Sequence, residues 1–428
     1  MKTSAGQQQS TPSAVVLLTI IVAFATLGCL VPQALADSRG HSGLPFGRGN
    51  PLADLQRQID ELRSMISGSG EYQTVVHCNA GDKVQEALDN APKGASRVVI
   101  TIDGVCPETV HIDQRDDVWL QGGSPGSGLT AGSMGIVLSL RGVHRIEIND
   151  LTLTGGNQGM DVRNASSFRS RNLVVRNSVG GGIILSGNSA GELSNLTVES
   201  TNWSGIEVHR GAAVSVGGGE IRGNPGFGVF SDGGDVELNG VKVSNNGIGV
   251  HITNGGALAL LGATTVENSA GFGVNIGHGS SAIMSGPDIL ITNSGRSAVN
   301  IGSGGSVWLQ SGARVAGNPN VSGIAVGQSS TLEMMQGAIV ENNYSGVDVN
   351  SASSALITSG SEVRNNTVNG VSIADTSVVI FNSGGGAPRI TGNGSNAIYC
   401  QGAPAVAQYW GQDPVISGNG GVTNCPGH

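Results

Sequence analysis

One short pattern recurs ten times between residues 182 and 401: a glycine or alanine, then Ile or Val, and in most copies a second Ile or Val two positions on. It reads Gly-Ile-Ile-Leu-Ser at 182–186, Gly-Ile-Glu-Val-His at 205–209 and Gly-Val-Phe-Ser-Asp at 228–232. It continues as Gly-Val-His-Ile-Thr at 249–253, Gly-Val-Asn-Ile-Gly at 273–277 and Ala-Val-Asn-Ile-Gly at 298–302. Gly-Ile-Ala-Val-Gly at 323–327, Gly-Val-Asp-Val-Asn at 346–350, Gly-Val-Ser-Ile-Ala at 370–374 and Ala-Ile-Tyr-Cys-Gln at 397–401 complete it. Successive copies begin 23, 23, 21, 24, 25, 25, 23, 24 and 27 residues apart. A near-constant period between 20 and 30 residues is the signature of a solenoid, in which each unit buries its apolar face only against its neighbours.

Each unit holds three short β-type runs. After the first strand comes a second apolar alternation, as in Ala257-Leu258-Ala259-Leu260 or Ser306-Val307-Trp308-Leu309, and then a third run such as Gly262 to Val266. An Asn-centred turn follows at Asn177, Asn224, Asn245, Asn268, Asn293, Asn318, Asn342, Asn365 and Asn393. Asn tolerates the left-handed and bridge angles of a sharp corner. Stacked rung on rung, its amides can also hydrogen-bond along the axis as a ladder.

Composition agrees. The 428 residues include 70 glycines, with 38% hydrophobic and only 12% charged. The 14 prolines and the lack of a strict third-residue glycine exclude collagen. Ample apolar residues with little charge exclude general disorder. The net charge of −9, with no run of Lys or Arg, argues against nucleic acid as a partner.

Three strands and an Asn turn per rung of about 24 residues resemble the right-handed parallel β-helix of the pectate-lyase superfamily. The resemblance covers residues 75–428 and extends to the first coils: a short helix over Asp82–Ala91, then Val98–Ile102, Gly104–Ile112 and Val118–Gly122. It implies an all-β, single-stranded right-handed parallel β-helix of some 12 to 13 three-strand coils with an N-terminal capping helix, on the order of 60 Å long at ~4.8 Å per rung.

Upstream lie three other segments. Residues 1–36 read as a secretory signal: Lys2, an uncharged apolar run over Ala14–Leu30, and an Ala-x-Ala end at Ala36. Secretion or display at the cell surface follows, with membrane contact only through an uncleaved signal. Residues 37–51 form a Gly/Arg/Ser-rich linker. Within 52–67, Leu52, Leu55, Ile59, Leu62 and Ile66 make a two-heptad seam, suited to a homo-oligomer through 52–66 or to a helix lying on its own domain. With Cys29 in the signal, Cys78, Cys106, Cys400 and Cys425 remain. The pairing Cys78–Cys106 and Cys400–Cys425 is preferred among the three connectivities, because each pair sits near an end of the array, where stacking frays.

Aligning the units predicts an outward column of Asp161, Ile184, Glu207, Phe230, His251, Asn275, Asn300, Ala325, Asp348, Ser372 and Tyr399, facing solvent. A neighbouring column includes Arg163, His209, Asp232 and Thr253. Glu207, His209, Asp232 and His251 form the densest titratable group and are the candidate catalytic residues for acid–base work on a sugar, with Arg210 close by. Phe230, Asn275, Asn300, Asp348 and Tyr399 are the candidate ligand contacts, Phe230 by stacking on a sugar face.

Known catalytic sets of the fold are missing. Gly277-His278-Gly279 resembles the Gly-His-Gly of polygalacturonase-type hydrolases, but the only Asp-Asp is Asp116-Asp117, far upstream, and His278 is expected to be a turn residue. The Asp-Pro-His-Asp of alginate epimerases is absent. Only Asp161 with Arg163 suggests the carboxylate–Arg pair of pectate lyases, and the longest irregular stretch, Gly122–Gly135, has no titratable group. The expectation is an exported β-helix that binds polysaccharide or serves a structural role, without metal or cofactor. The rival is a lyase, hydrolase or epimerase, with calcium if a lyase.

Overall fold

The computed structural model describes residues 70–425, apart from Gln114, Ser359, Gly385 and Ala403. The signal, the linker and the 52–67 seam lie outside the described residues.

Two sheets build the solenoid, and every strand pairing within them is parallel. One has 14 strands, from Val110–Asp113 to Gly421–Thr423, and takes one strand per rung from the recurring unit. The other has 27 strands and takes the remaining two runs of each rung. They are called here the site sheet and the long sheet. The 14 rungs of the site sheet exceed the 12 to 13 coils expected. Before residue 159 the pattern is out of register: Gly135 leads Ile136–Arg141, but Val137 stands opposite Gly159 and Gly182 in the sheet.

The reason the repeat stacks is visible in register. Ile206 pairs with Val229, Val229 with Val250, and Val250 with Val274, and all four are fully buried. Each rung therefore adds β-branched side chains to one continuous core, such as Ile206, Val208, Val214, Val216 and Ile221, each worth about 1.5–3 kcal/mol on full burial. The N-terminal end is closed by the helix Val84–Asn90, whose Val84 and Leu88 face the core. Its first amides are capped from a distant segment: Val84 N and Gln85 N donate to the Glu108 carboxylate at 2.8 and 3.2 Å. Both preferred disulfides, Cys78–Cys106 and Cys400–Cys425, are formed.

Two expectations need correction. Within Gly122–Gly135, residues Gly128–Ala131 form a strand that pairs with Val105–Pro107 and Thr152–Gly155. A Cβ on Gly128 would sit 1.9 Å from the Thr152 carbonyl oxygen. It is a packing glycine, admitting close approach between rungs.

The second correction concerns the asparagines, which belong to two adjacent columns. The first column supplies the left-handed corner: Asn177, Asn245, Asn268, Asn293, Asn342 and Asn365 all have φ between 48° and 59°. The next residue turns inward and carries the ladder. Asn224 Nδ2 donates to Asn246 Oδ1 (3.0 Å), and Asn318, Asn343, Asn366, Asn393 and Asn419 continue the same bond at 2.8–3.2 Å. Where the ladder residue follows a glycine, as at Gly223-Asn224, Gly317-Asn318 and Gly392-Asn393, the glycine takes the positive φ. Corner and inward ladder thus fall on different residues in these rungs, while the expected stacking also occurs at the corner itself, where the left-handed Asn293 donates from Nδ2 to Oδ1 of the left-handed Asn268 at 2.5 Å.

Candidate functional site

The predicted outward column is realised. Glu207 pairs with Phe230, Phe230 with His251, His251 with Asn275 and Asn275 with Asn300. Further along, Asn300 pairs with Ala325, Ala325 with Asp348, Asp348 with Ser372 and Ser372 with Tyr399. In the neighbouring column His209 pairs with Asp232 and Asp232 with Thr253.

Its exposure differs from the expectation of a solvated face. Asp161 is fully buried, and Ile184 and Glu207 are only 8% and 9% exposed. Arg163 Nε donates to Asp161 Oδ1 at 2.7 Å, while Asp161 Oδ2 has no partner. Glu207 lies against the turn before residue 183, where a Cβ on Gly181 would come 2.9 Å from Oε1 and 3.2 Å from Ile184 Cδ1. Outward direction on a strand does not guarantee access when neighbouring turns pack over it. From Phe230 onward the column is half-exposed.

The titratable residues divide into two environments. His209 Nε2 stands 3.5 Å from Glu207 Oε2. A hydrogen bond to the Glu207 carboxylate raises the His209 pKa against the opposing effect of burial, and the charges of Glu207 and Asp232 add to the rise. Asp232 itself accepts a hydrogen bond from Asn254 Nδ2 at 2.5 Å. His251 is different: burial lowers its pKa, and the His278 charge adds to the effect. Asn275 Nδ2 donates to His251 Nδ1 (2.6 Å), and Asn300 Nδ2 donates to Asn275 Oδ1 (2.7 Å). An accepting Nδ1 places the neutral ring's proton on Nε2. Asn275 and Asn300, expected as ligand contacts, thus also orient the histidine.

Between the two histidines lies an aromatic patch that sequence reasoning saw only in part. Phe230 stacks on His251 (centroids 5.6 Å, 14°) and meets His209 edge-on at 6.4 Å. Phe227 packs on Phe230 at 5.1 Å and on His251 at 5.3 Å. Trp203, 54% exposed, meets Phe227 edge-on at 5.6 Å. One rung further, the Arg296 guanidinium lies 5.5 Å from the Phe272 ring. Trp203, Phe227 and Phe272 escaped notice because they fall at the turn or the first strand position, outside the aligned columns. The available signal was scarcity: the chain has only seven Phe and four Trp, and four of these eleven lie within residues 203–272.

Asp348 and Tyr399 share the column but not the cluster. Burial raises the Asp348 pKa, against hydrogen bonds from Ser322, Ser372 and Ser345. His278 is the turn residue expected, with φ 49° and Nδ1 2.8 Å from Thr253 Oγ1. Among the described residues, no three His, Cys, Asp or Glu side chains converge in a way that could hold a metal ion.

A family model described as a right handed beta helix region matches residues 130–264. The described chain folds as a right-handed parallel β-helix. No curated protein matches it in sequence. Among solved structures, this β-helix is similar to the A-module of the Azotobacter vinelandii mannuronan C-5 epimerase AlgE6, at 14% identity and a TM-score of 0.49, over 80% of this chain and 94% of that one. The AlgE4 A-module from the same organism gives 13% and 0.43, over 85% and 98%. The catalytic domain of a GH87 alpha-1,3-glucanase in complex with nigerose gives 13% and 0.36, over 89% and 71%. These neighbours are enzymes of polysaccharides by their names. At such identities the likeness is one of fold.

Proposed function

We propose that this β-helix is an exported polysaccharide-binding protein whose ligand lies along the site sheet, across the rungs from Trp203 to Asn300. The observation that carries the reading is the joined aromatic and amide surface: Trp203, Phe227 and Phe230 beside the Asn300–Asn275–His251 chain. Sugar rings have apolar faces that stack on aromatic rings and edges of hydroxyls that need donors and acceptors. Two disulfides suit a compartment outside the cytoplasm.

A second reading is favoured by one specific feature. His209 is held toward its charged form and His251 toward its neutral form, on strands two rungs apart across Phe230. Titratable groups pushed in opposite directions are the arrangement an acid–base pair needs.

Uronate-rich and neutral polysaccharides, screened by calorimetry with wild type, Trp203→Ala and Phe230→Ala, test the first reading. Each substitution is expected to weaken binding by about tenfold, the equivalent of about 1.4 kcal/mol, with the unfolding transition retained. Unchanged affinity in both variants would sink it. The same mixtures, assayed for unsaturated or reducing-end products, test the second. Turnover abolished in His251→Ala and Glu207→Ala supports catalysis; binding without product rejects it.

A further inference from the structure

The long sheet carries a separate feature on its own outer face. A trough of about 600 Å³ runs over the strands from Ala190 to Trp308, within the usual range for ligand sites, roughly 300–1,000 Å³. Its depth comes from side-chain size: Ala190, Ala213 and Ala257 lie in one file of the register, interrupted by Asp235. In the file beside it, Glu237 pairs with Ala259, Ala259 with Ile283, Ile283 with Trp308 and Trp308 with Glu333. Trp308 is 38% exposed, and its Nε1–H donates to Glu333 Oε2 at 3.0 Å. The polar edge of the indole is therefore satisfied by the protein, leaving the ring face for a ligand.

Charge narrows the occupant. Asp235, Glu237 and Glu333 form no ion pair with any cation among the described residues, whereas the carboxylates of the third strand run mostly do, as in Lys242–Glu267 at 2.9 Å. We propose that this trough is a second saccharide site, selective for chains of cationic amino sugars. Ammonium groups would pair with Asp235 and Glu237 and approach the Trp308 face, and the apolar side of a sugar ring would rest on Ala259 and Ile283. A polyuronate would be repelled by the same carboxylates. An amphipathic peptide helix would lay its apolar stripe over Glu237, which lines the trough with only Ser215 Oγ donating to it, and bury that charge without a cation. A sugar carries its polar groups around the ring edge and avoids that penalty.

The test is calorimetry and tryptophan fluorescence with a glucosamine oligomer, its N-acetylated counterpart and an oligouronate. Variants are Trp308→Ala, the double variant Asp235→Asn/Glu237→Gln, and Tyr344→Ala as the control, exposed at a turn two rungs beyond Asn300. The glucosamine oligomer is expected to bind about tenfold or more tightly than its acetylated form. Trp308→Ala and the double variant should each weaken it by about tenfold, with Tyr344→Ala unchanged. Trp308→Leu, which keeps apolar bulk, should also lose binding and so separates ring stacking from misfolding. No binding of the glucosamine oligomer overturns the proposal, as does affinity equal in Trp308→Ala and wild type, or a basic amphipathic peptide binding in its place. Because Trp203 sits at the turn before the site-sheet strand Ser204–His209 and Trp308 lies on the long sheet, loss of this site leaves the site-sheet reading standing, and the reverse.

Discussion

At the inward ladder, two neighbouring residues divide the left-handed corner from the buried axial hydrogen bond. Asn245 takes the left-handed corner, and Asn246 turns inward to bond along the axis. Two rungs break the line: Ser269 and Ser294 occupy ladder positions, and both hydroxyls lack partners. The space for an amide is already there. A Cβ on Gly228 would lie 2.8 Å from Asn246 Nδ2, and Gly249 and Gly273 leave the same opening beside Ser269 and Ser294. Replacing both serines by Asn should join the two ladder segments and raise stability by about 1 kcal/mol per hydrogen bond gained, read from the urea midpoint. A lower midpoint contradicts the assignment. The histidines offer a second residue-scale check. His209 has its pKa raised above the ordinary 6.5, chiefly by Glu207, so its stabilising effect is full below about 6.5 and is lost as pH rises through its folded value. His251 is lowered from 6.5, so it favours the folded state at high pH, and that advantage fades as pH falls below about 6.5. NMR titration should therefore place His209 above and His251 below the free value, and Glu207→Gln should bring His209 down. Coincident titrations would remove the acid–base reading.

Among the elements, charge follows a rule that a single strand cannot display. Identical charges stacked rung on rung repel, and the third strand run avoids this by alternation. Glu199 pairs with Arg222 at 2.6 Å, Arg222 also with Glu220 at 3.3 Å, and Glu341 is held between Arg314 and Arg364. These pairs explain most charged residues in the columns as structural, and leave the site-sheet group and the unpaired trough carboxylates as the exceptions. The corner inside Ala213–Arg222 shows what the glycines do. Gly218 and Gly219 both have positive φ (69° and 100°), but a Cβ on Gly218 meets nothing, whereas one on Gly219 would lie 2.0 Å from the Leu196 carbonyl oxygen. Gly219→Ala should cost more than Gly218→Ala, which pays only the backbone strain of about 1–3 kcal/mol. Equal losses in thermal unfolding would show that close approach between rungs is unimportant there.

Across the molecule, the period of the repeat carried most of the fold. Rung register, the capping helix, both disulfides and the turn role of His278 were legible because they follow from spacing and from what stacking requires. Burial of Asp161 and Glu207 was not, because it depends on turns packing over a strand rather than on the strand's own alternation. Nor were Trp203 and Phe227, whose partners lie a whole rung away at positions outside the repeat's aligned core. The proposed ligand lies along the site sheet between Trp203 and Asn300. Covalent footprinting of the protein with a saturating polysaccharide from the binding screen tests it most directly. Protection is predicted at Trp203, Phe227, Phe230 and His251, with Trp410 and Tyr344, both exposed elsewhere, unchanged. Protection absent from that patch while binding is saturated would contradict it.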